Sequence, residues 1–98
     1  MEFFKEPLEF EWDAGNREKN FLKHRVSTTE CEEVFFDPHK RMIREVLFPA
    51  GGRRERRHVL IGRTSEKRVL YVVFTMRTGR IRVISARDLS RRERGLSA

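Results

Sequence analysis

Ninety-eight residues suffice for one small α+β domain and are too few for two. Charged side chains make up 38% of the chain, well above the usual quarter, yet the apolar residues gather in strand-like runs, which argues against disorder. No stretch approaches the roughly 18 apolar residues of a membrane span, and the opening residues 1–7 lack the basic-then-apolar order of a signal peptide. A lone cysteine, Cys31, excludes an intrachain disulfide and suits a reducing, cytoplasmic setting, where it reads as a small buried hydrophobe.

In chain order, residues 8–12 alternate with period two and predict a short strand. Asp13 is placed to cap a helix running to Lys23 or His24, with Gly15 and Asn16 lowering its propensity. Ser27 and Glu30 have the spacing of a capping box, and Val26 and Cys31 that of a hydrophobic staple. The second helix therefore starts there, presents Cys31, Val34 and Phe35 on one face, and stops at Asp37-Pro38.

From Lys40 the pattern turns to strands at 41–48, 56–64, 68–76 and 80–87, joined by Pro49-Ala50-Gly51-Gly52, by residues 65–67 and by Thr78-Gly79. The third of these is apolar on both faces, as a central strand is. Short connections predict an antiparallel four-stranded meander. Ser90 to Glu93 repeats the capping-box pattern and predicts a short C-terminal helix.

Charge is split along the chain. Residues 1–52 hold eight Lys/Arg against eleven Asp/Glu, whereas residues 53–98 hold fourteen against four. An arginine-rich half points to a polyanion, nucleic acid before an acidic protein. Strict alternation sets Arg80 and Arg82 on one face of their strand with Ile84 and Ala86, and Arg87 on the other with Ile81, Val83 and Ser85. On the strand before, Val59 and Ile61 lead to Arg63, with His58 and Leu60 opposite.

No metal-ligand set, phosphate-cradling glycine loop or nucleophile elbow is present, and His24, His39 and His58 are scattered. What remains is cationic chemistry. RNA carries its own nucleophile in the 2′-hydroxyl, so a cleavage site needs cations for the phosphorane and a proton carrier. Arg63, Arg82 and Arg87 suit the first task because a guanidinium fork matches the non-bridging oxygens. Lys23, His24 and His58 are the candidate proton carriers, and Arg77, Arg80, His58 and Arg91 are further candidate RNA contacts. Tyr71, Phe74 and Met76 read as core, and no exposed aromatic platform is evident.

Phe10-Glu11-Trp12-Asp13, Asn20, Lys23-His24 and Val26, then Gly62-Arg63-Thr64, the run from Ile81 to Arg87, and Arg91-Arg92-Glu93, together resemble the BrnT toxin family. The resemblance implies a RelE-like α+β fold without cofactor and a ribonuclease that arrests translation. It also implies neutralisation by a cognate BrnA-like antitoxin, through whose complex promoter DNA is bound. It maps Lys23, His24, Arg63, Arg82 and Arg87 onto motif positions. Two departures stand out: Arg25 replaces the usual Gly after Lys-His, removing the easy left-handed helix stop, and Asn16 stands where Lys is frequent. The same basic half would also serve a non-catalytic nucleic-acid-binding module or a protein-interaction domain that receives an acidic segment.

Overall fold

A computed structural model describes residues 4–97, with the side chains of residues 20–22, 50, 53 and 95–97 outside the description. The reading of residues 1–3 falls outside it. Two helices, α1 (Ala14–His24) and α2 (Thr28–Phe35), precede four strands: β1 (Arg41–Ala50), β2 (Arg53–Arg63), β3 (Val69–Arg77) and β4 (Arg80–Asp88). The strands form one antiparallel sheet in the order β1-β2-β3-β4.

Asp13 caps α1, accepting the Asn16 N–H at 3.0 Å while the Asn16 side-chain oxygen accepts the Asp13 N–H at 2.7 Å. The buried Asn16 amide also donates to the carbonyls of Glu11 and Val83, at 3.0 and 3.2 Å. A residue of middling helix propensity thus fastens α1 to β4, all its polar groups satisfied. Arg25 ends α1 with a φ of 57°, taking the left-handed conformation that a glycine would take without strain. The Ser27–Glu30 capping box starts α2, with both reciprocal bonds formed.

Both helices lie on one side of the sheet. Val26, Cys31, Val34 and Phe35 pack there against Leu60, Leu70, Val72, Phe74, Ile81, Val83 and Ala86, with Phe35 edge-on to Phe74 at 5.1 Å. Burial pushes the Cys31 thiol up to about 12, so it stays protonated and inert. A Cβ on Gly62 would lie 2.8 Å from the Val34 carbonyl oxygen, so only glycine lets α2 settle on β2 there. The second face, opened away from the helices, has a smaller apolar cluster of Val59, Ile61 and Tyr71, flanked by Ile43, Val69, Val73 and Leu89.

Four expectations change. The predicted strand at 8–12 is a single bridge, Phe10 to Ile81, with Glu9 and Glu11 bonding the Ile81 backbone; the helix cap at Asp13 leaves no room for more. The C-terminal helix is a 3-10 turn, Arg91–Ser97, because seven residues including a glycine cannot sustain an α-helix. The β1–β2 hairpin runs on to a two-residue Gly51-Gly52 turn, with φ of 55° and 80° matching the twist of the strands, so Pro49 and Ala50 belong to β1. Phe36 and Phe48 are exposed, at 62% and 41%, because one follows the end of α2 and the other sits on the outermost strand.

The most consequential difference is in β4. Phe74 pairs with Val83 but Val73 pairs with Ser85, so β4 bulges by one residue at Ile84. Beyond the bulge the alternation reverses. Ala86 joins Ile81 and Val83 under the helices, and Arg87 turns to the open face.

Candidate active site

The pairing register sorts the open face into rows that cross the sheet, since cross-strand partners share a face. One row is Arg41, Ile61, Tyr71 and Arg87; the next is Arg44, Val59, Val73 and Ser85; a third is Val46, Arg57, Thr75 and Arg82. Arg63 follows beside Val69 at one end, and Arg77 with Arg80 at the other. Arg63, Arg82 and Arg87 therefore share one face, which regular alternation in β4 forbids.

A groove of about 420 Å³ runs over the centre of this face. Its floor includes Val59 and Val73, and its polar groups come from Arg44, Arg57, Tyr71 and Ser85, with no carboxylate lining it among the described residues. Arg44 donates to the Tyr71 hydroxyl at 3.4 Å, and the Arg87 guanidinium lies 4.1 Å above the Tyr71 ring. Tyr71 is thus the pedestal of two arginines as well as a core residue. Arg57 stacks on exposed Phe48 at 4.4 Å and donates its Nε to Glu55 at 2.7 Å, which leaves its terminal nitrogens to the groove.

Two of the motif arginines, Arg82 and Arg87, are held by carboxylates of their own chain. Glu93 pairs with Arg87 and is drawn down to about 2 by that bond, against an ordinary 4.5. Arg87 is raised in turn, chiefly by the same bond. Arg82 reaches Asp13 at 2.9 Å and Glu11 at 3.3 Å, tying the α1 cap to the sheet. Asp13 is lowered, first by its bond from Asn16 and then by Arg82. Each pair fixes the reach of a cation and leaves other N–H groups of the same guanidinium to a ligand.

The other candidates scatter. Arg77, exposed, pairs with Glu11 at 3.4 Å; Arg80 and Arg91 are exposed too. His58 is 5% exposed and faces the helix side, 5.3 Å from the Phe74 ring, and burial lowers its pKa. Lys23 and His24 close α1 near the Asp88 end of β4, where the His24 carbonyl accepts from Arg68 at 3.0 Å. Lys23 and His24 do not line the groove, and neither do Arg63, Arg82 and Arg87, which stand on the face around it.

Sequence reasoning missed Arg44, Arg57 and Arg68. Arg57 was within reach, since alternation with Val59 and Ile61 sets it on the Arg63 face. Arg44 was not, because β1 bulges between Met42 and Arg44. Arg68 is an anchor: it bonds both Asp88 oxygens at 2.6 and 3.0 Å, both Glu30 oxygens at 3.2 Å, and the carbonyls of His24 and Arg25. Among the described residues no three His, Cys, Asp or Glu side chains gather as metal ligands, and no helix is long and apolar enough to cross a membrane.

The chain is a small α+β scaffold with helices on one side of its sheet and an arginine-lined face on the other. A family model described as the ribonuclease toxin BrnT of type II toxin–antitoxin systems matches residues 12–93, and the chain belongs to that family. No curated protein matches it individually. Family membership makes it a ribonuclease toxin with a cognate antitoxin.

Proposed function

We propose that the chain, as a single RelE-like domain over residues 1–98, is a cytoplasmic, metal-independent endoribonuclease that arrests translation. Its open face takes the RNA backbone. Arg63, Arg82 and Arg87 hold phosphates, Arg44 and Arg57 join them, and Arg77, Arg80 and Arg91 extend the track. The observation that supports this reading is the open face: Arg44 and Arg57 border a groove with an apolar floor, Arg87 lies over the Tyr71 ring that forms part of it, and among the described residues no carboxylate lines it. In such a site the 2′-oxygen attacks phosphorus, the bond to the 5′-oxygen breaks, and the guanidinium groups stabilise charge on the phosphorane. A BrnA-like antitoxin neutralises the toxin by covering this face, and promoter DNA is bound only through the toxin–antitoxin complex.

The test is RNA cleavage by the purified chain in EDTA, with product ends assayed for cyclic phosphate. Cleavage is expected, and Arg87→Ala abolishes it while the thermal melt stays cooperative. Salt-sensitive binding without scission would instead make the chain a nucleic-acid-binding module. Expression of the chain alone arrests growth, and the antitoxin relieves the arrest; failure of both refutes the toxin reading.

A further inference from the structure

The groove supplies cations and lacks an obvious proton carrier. The three histidines differ sharply in placement. His58 is buried under the helices, and His24 sits at the α1 corner beside Arg68 and Asp88. His39 is exposed, on the turn from α2 into β1. It lines a second cleft, of about 580 Å³, with Asp37, Arg41 and Arg63, against a wall that includes Ile61 and Val69.

Ile61 and Val69 are open-face residues, and the register continues from Arg41 through Ile61 and Tyr71 to Arg87. The cleft is therefore the Arg63 end of the face that carries the arginines. Its geometry is fixed by one carboxylate. Asp37 accepts the backbone N–H of His39 on one oxygen at 2.9 Å and that of Arg63 on the other at 2.7 Å. This bolts the turn to the end of β2, so that His39 and Arg63 line the same cleft. Among the described residues neither the His39 ring nor the Arg63 guanidinium makes a side-chain hydrogen bond or ion pair, so both are available to a ligand.

Resting on the ribonuclease reading, we propose that His39 is the general base of the cleavage, acting in this cleft with Arg63 on the scissile phosphate. The neutral imidazole takes the proton of the 2′-hydroxyl as the 2′-oxygen bonds to phosphorus. The bond from phosphorus to the 5′-oxygen breaks, and water protonates that oxygen. The hydroxide left behind collects the imidazolium proton, so products are a cyclic phosphate and a free 5′-hydroxyl. Imidazole is the side chain best matched to proton transfer near neutrality. The charged groups facing it are Asp37 in its own turn, Arg41 from β1 and Arg63 from β2.

The experiment compares wild type, His39→Ala and His24→Ala on one RNA, with affinity measured separately on the uncleavable 2′-deoxy oligonucleotide. His39→Ala is expected to lower kcat by about a hundredfold or more, leave KM, affinity and thermal melt unchanged, and regain part of the loss when free imidazole is added. Should the alanine variant lose its fold, His39→Gln, which keeps a polar group in the turn, is expected to show the same loss of kcat. Full activity in His39→Ala, loss without imidazole rescue, or rescue of His24→Ala in its place overturns the proposal and leaves the ribonuclease reading standing. Absence of cleavage by the wild-type chain overturns both.

Discussion

Arg87 and Glu93 meet fork to fork, Nη1 to Oε1 at 2.7 Å and Nη2 to Oε2 at 2.8 Å, with the guanidinium carbon 4.1 Å above the Tyr71 ring. Glu93 also accepts the Ser90 N–H at 2.9 Å, so one carboxylate closes the C-terminal turn and aims an arginine. Two of the guanidinium edges are used, by Glu93 and by the Asp88 carbonyl, and the side-on edge of Nε and Nη2 takes no part in these bonds.

This pair makes a pH prediction. Because the Glu93 carboxyl is held at about 2 in the folded chain, below an ordinary 4.5, its contribution to stability is complete above pH 4.5. It drains away as pH falls toward 2. Glu93→Gln is expected to lower stability near pH 7 and to flatten the decline between pH 4.5 and 2; urea unfolding across that range checks it. An unchanged slope refutes the linkage.

Arg68 predicts the largest electrostatic loss. It joins the end of α1, the α2 capping box and β4, and its side chain is only 25% exposed. The bonds from Arg68 hold Asp88 below the usual carboxylate range, and with the Ser27 bonds they do the same for Glu30 against its partial burial. Arg68→Met keeps the aliphatic stem and removes every one of these bonds. A loss of about 2 kcal/mol is expected, between the values for exposed and buried pairs. Equilibrium urea denaturation measures it.

Arg25 predicts a gain. A non-glycine residue in the left-handed region costs on the order of 1–2 kcal/mol, and glycine gives part of that back through the freedom of the unfolded chain. Arg25→Gly is expected to recover part of this strain and to keep the bond from Arg68, which ends on the backbone carbonyl at 2.8 Å. A lower melting temperature for the variant contradicts this.

Arg57 bears on RNA affinity. Its removal is expected to weaken binding to all sequences alike and to reduce the slope of log affinity against log salt by about 0.7, the value for one phosphate contact on a single strand. Phe48→Ala, which takes away the ring beneath Arg57, is expected to weaken binding less and leave that slope nearly unchanged. Fluorescence anisotropy over a salt series separates the two.

Local signals carried much of the architecture. The Ser27–Glu30 box, the stop at Asp37-Pro38 and the Thr78-Gly79 turn are encoded within a few residues, and each stands where the spacing put it, while the first hairpin turn tightened to Gly51-Gly52. The order of the sheet followed from short connections and from the two-sided apolar character of β3. The long-range partners of charges were not legible. Arg68 and Glu30 are 38 residues apart, and Arg82 and Glu11 are 71 apart, so no spacing rule relates them. The face of each motif arginine was half legible: Arg63 followed alternation, and Arg87 did not, since a bulge is set by pairing with β3 rather than by composition.

A strand is a two-beat pattern, and an odd interval puts two residues out of phase. Arg82 and Arg87 are five positions apart and yet in phase, because Ile84 inserts the missing beat. The interval therefore works as a reading frame for the run from Ile81 to Arg87. Losing or gaining one residue between the two arginines would move one of them beneath the helices, into the apolar core, unless the bulge were lost or doubled with it. Among chains of this kind, an interval of five marks an in-phase arginine pair only where the bulge is present, and an interval of four marks one where the strand is regular.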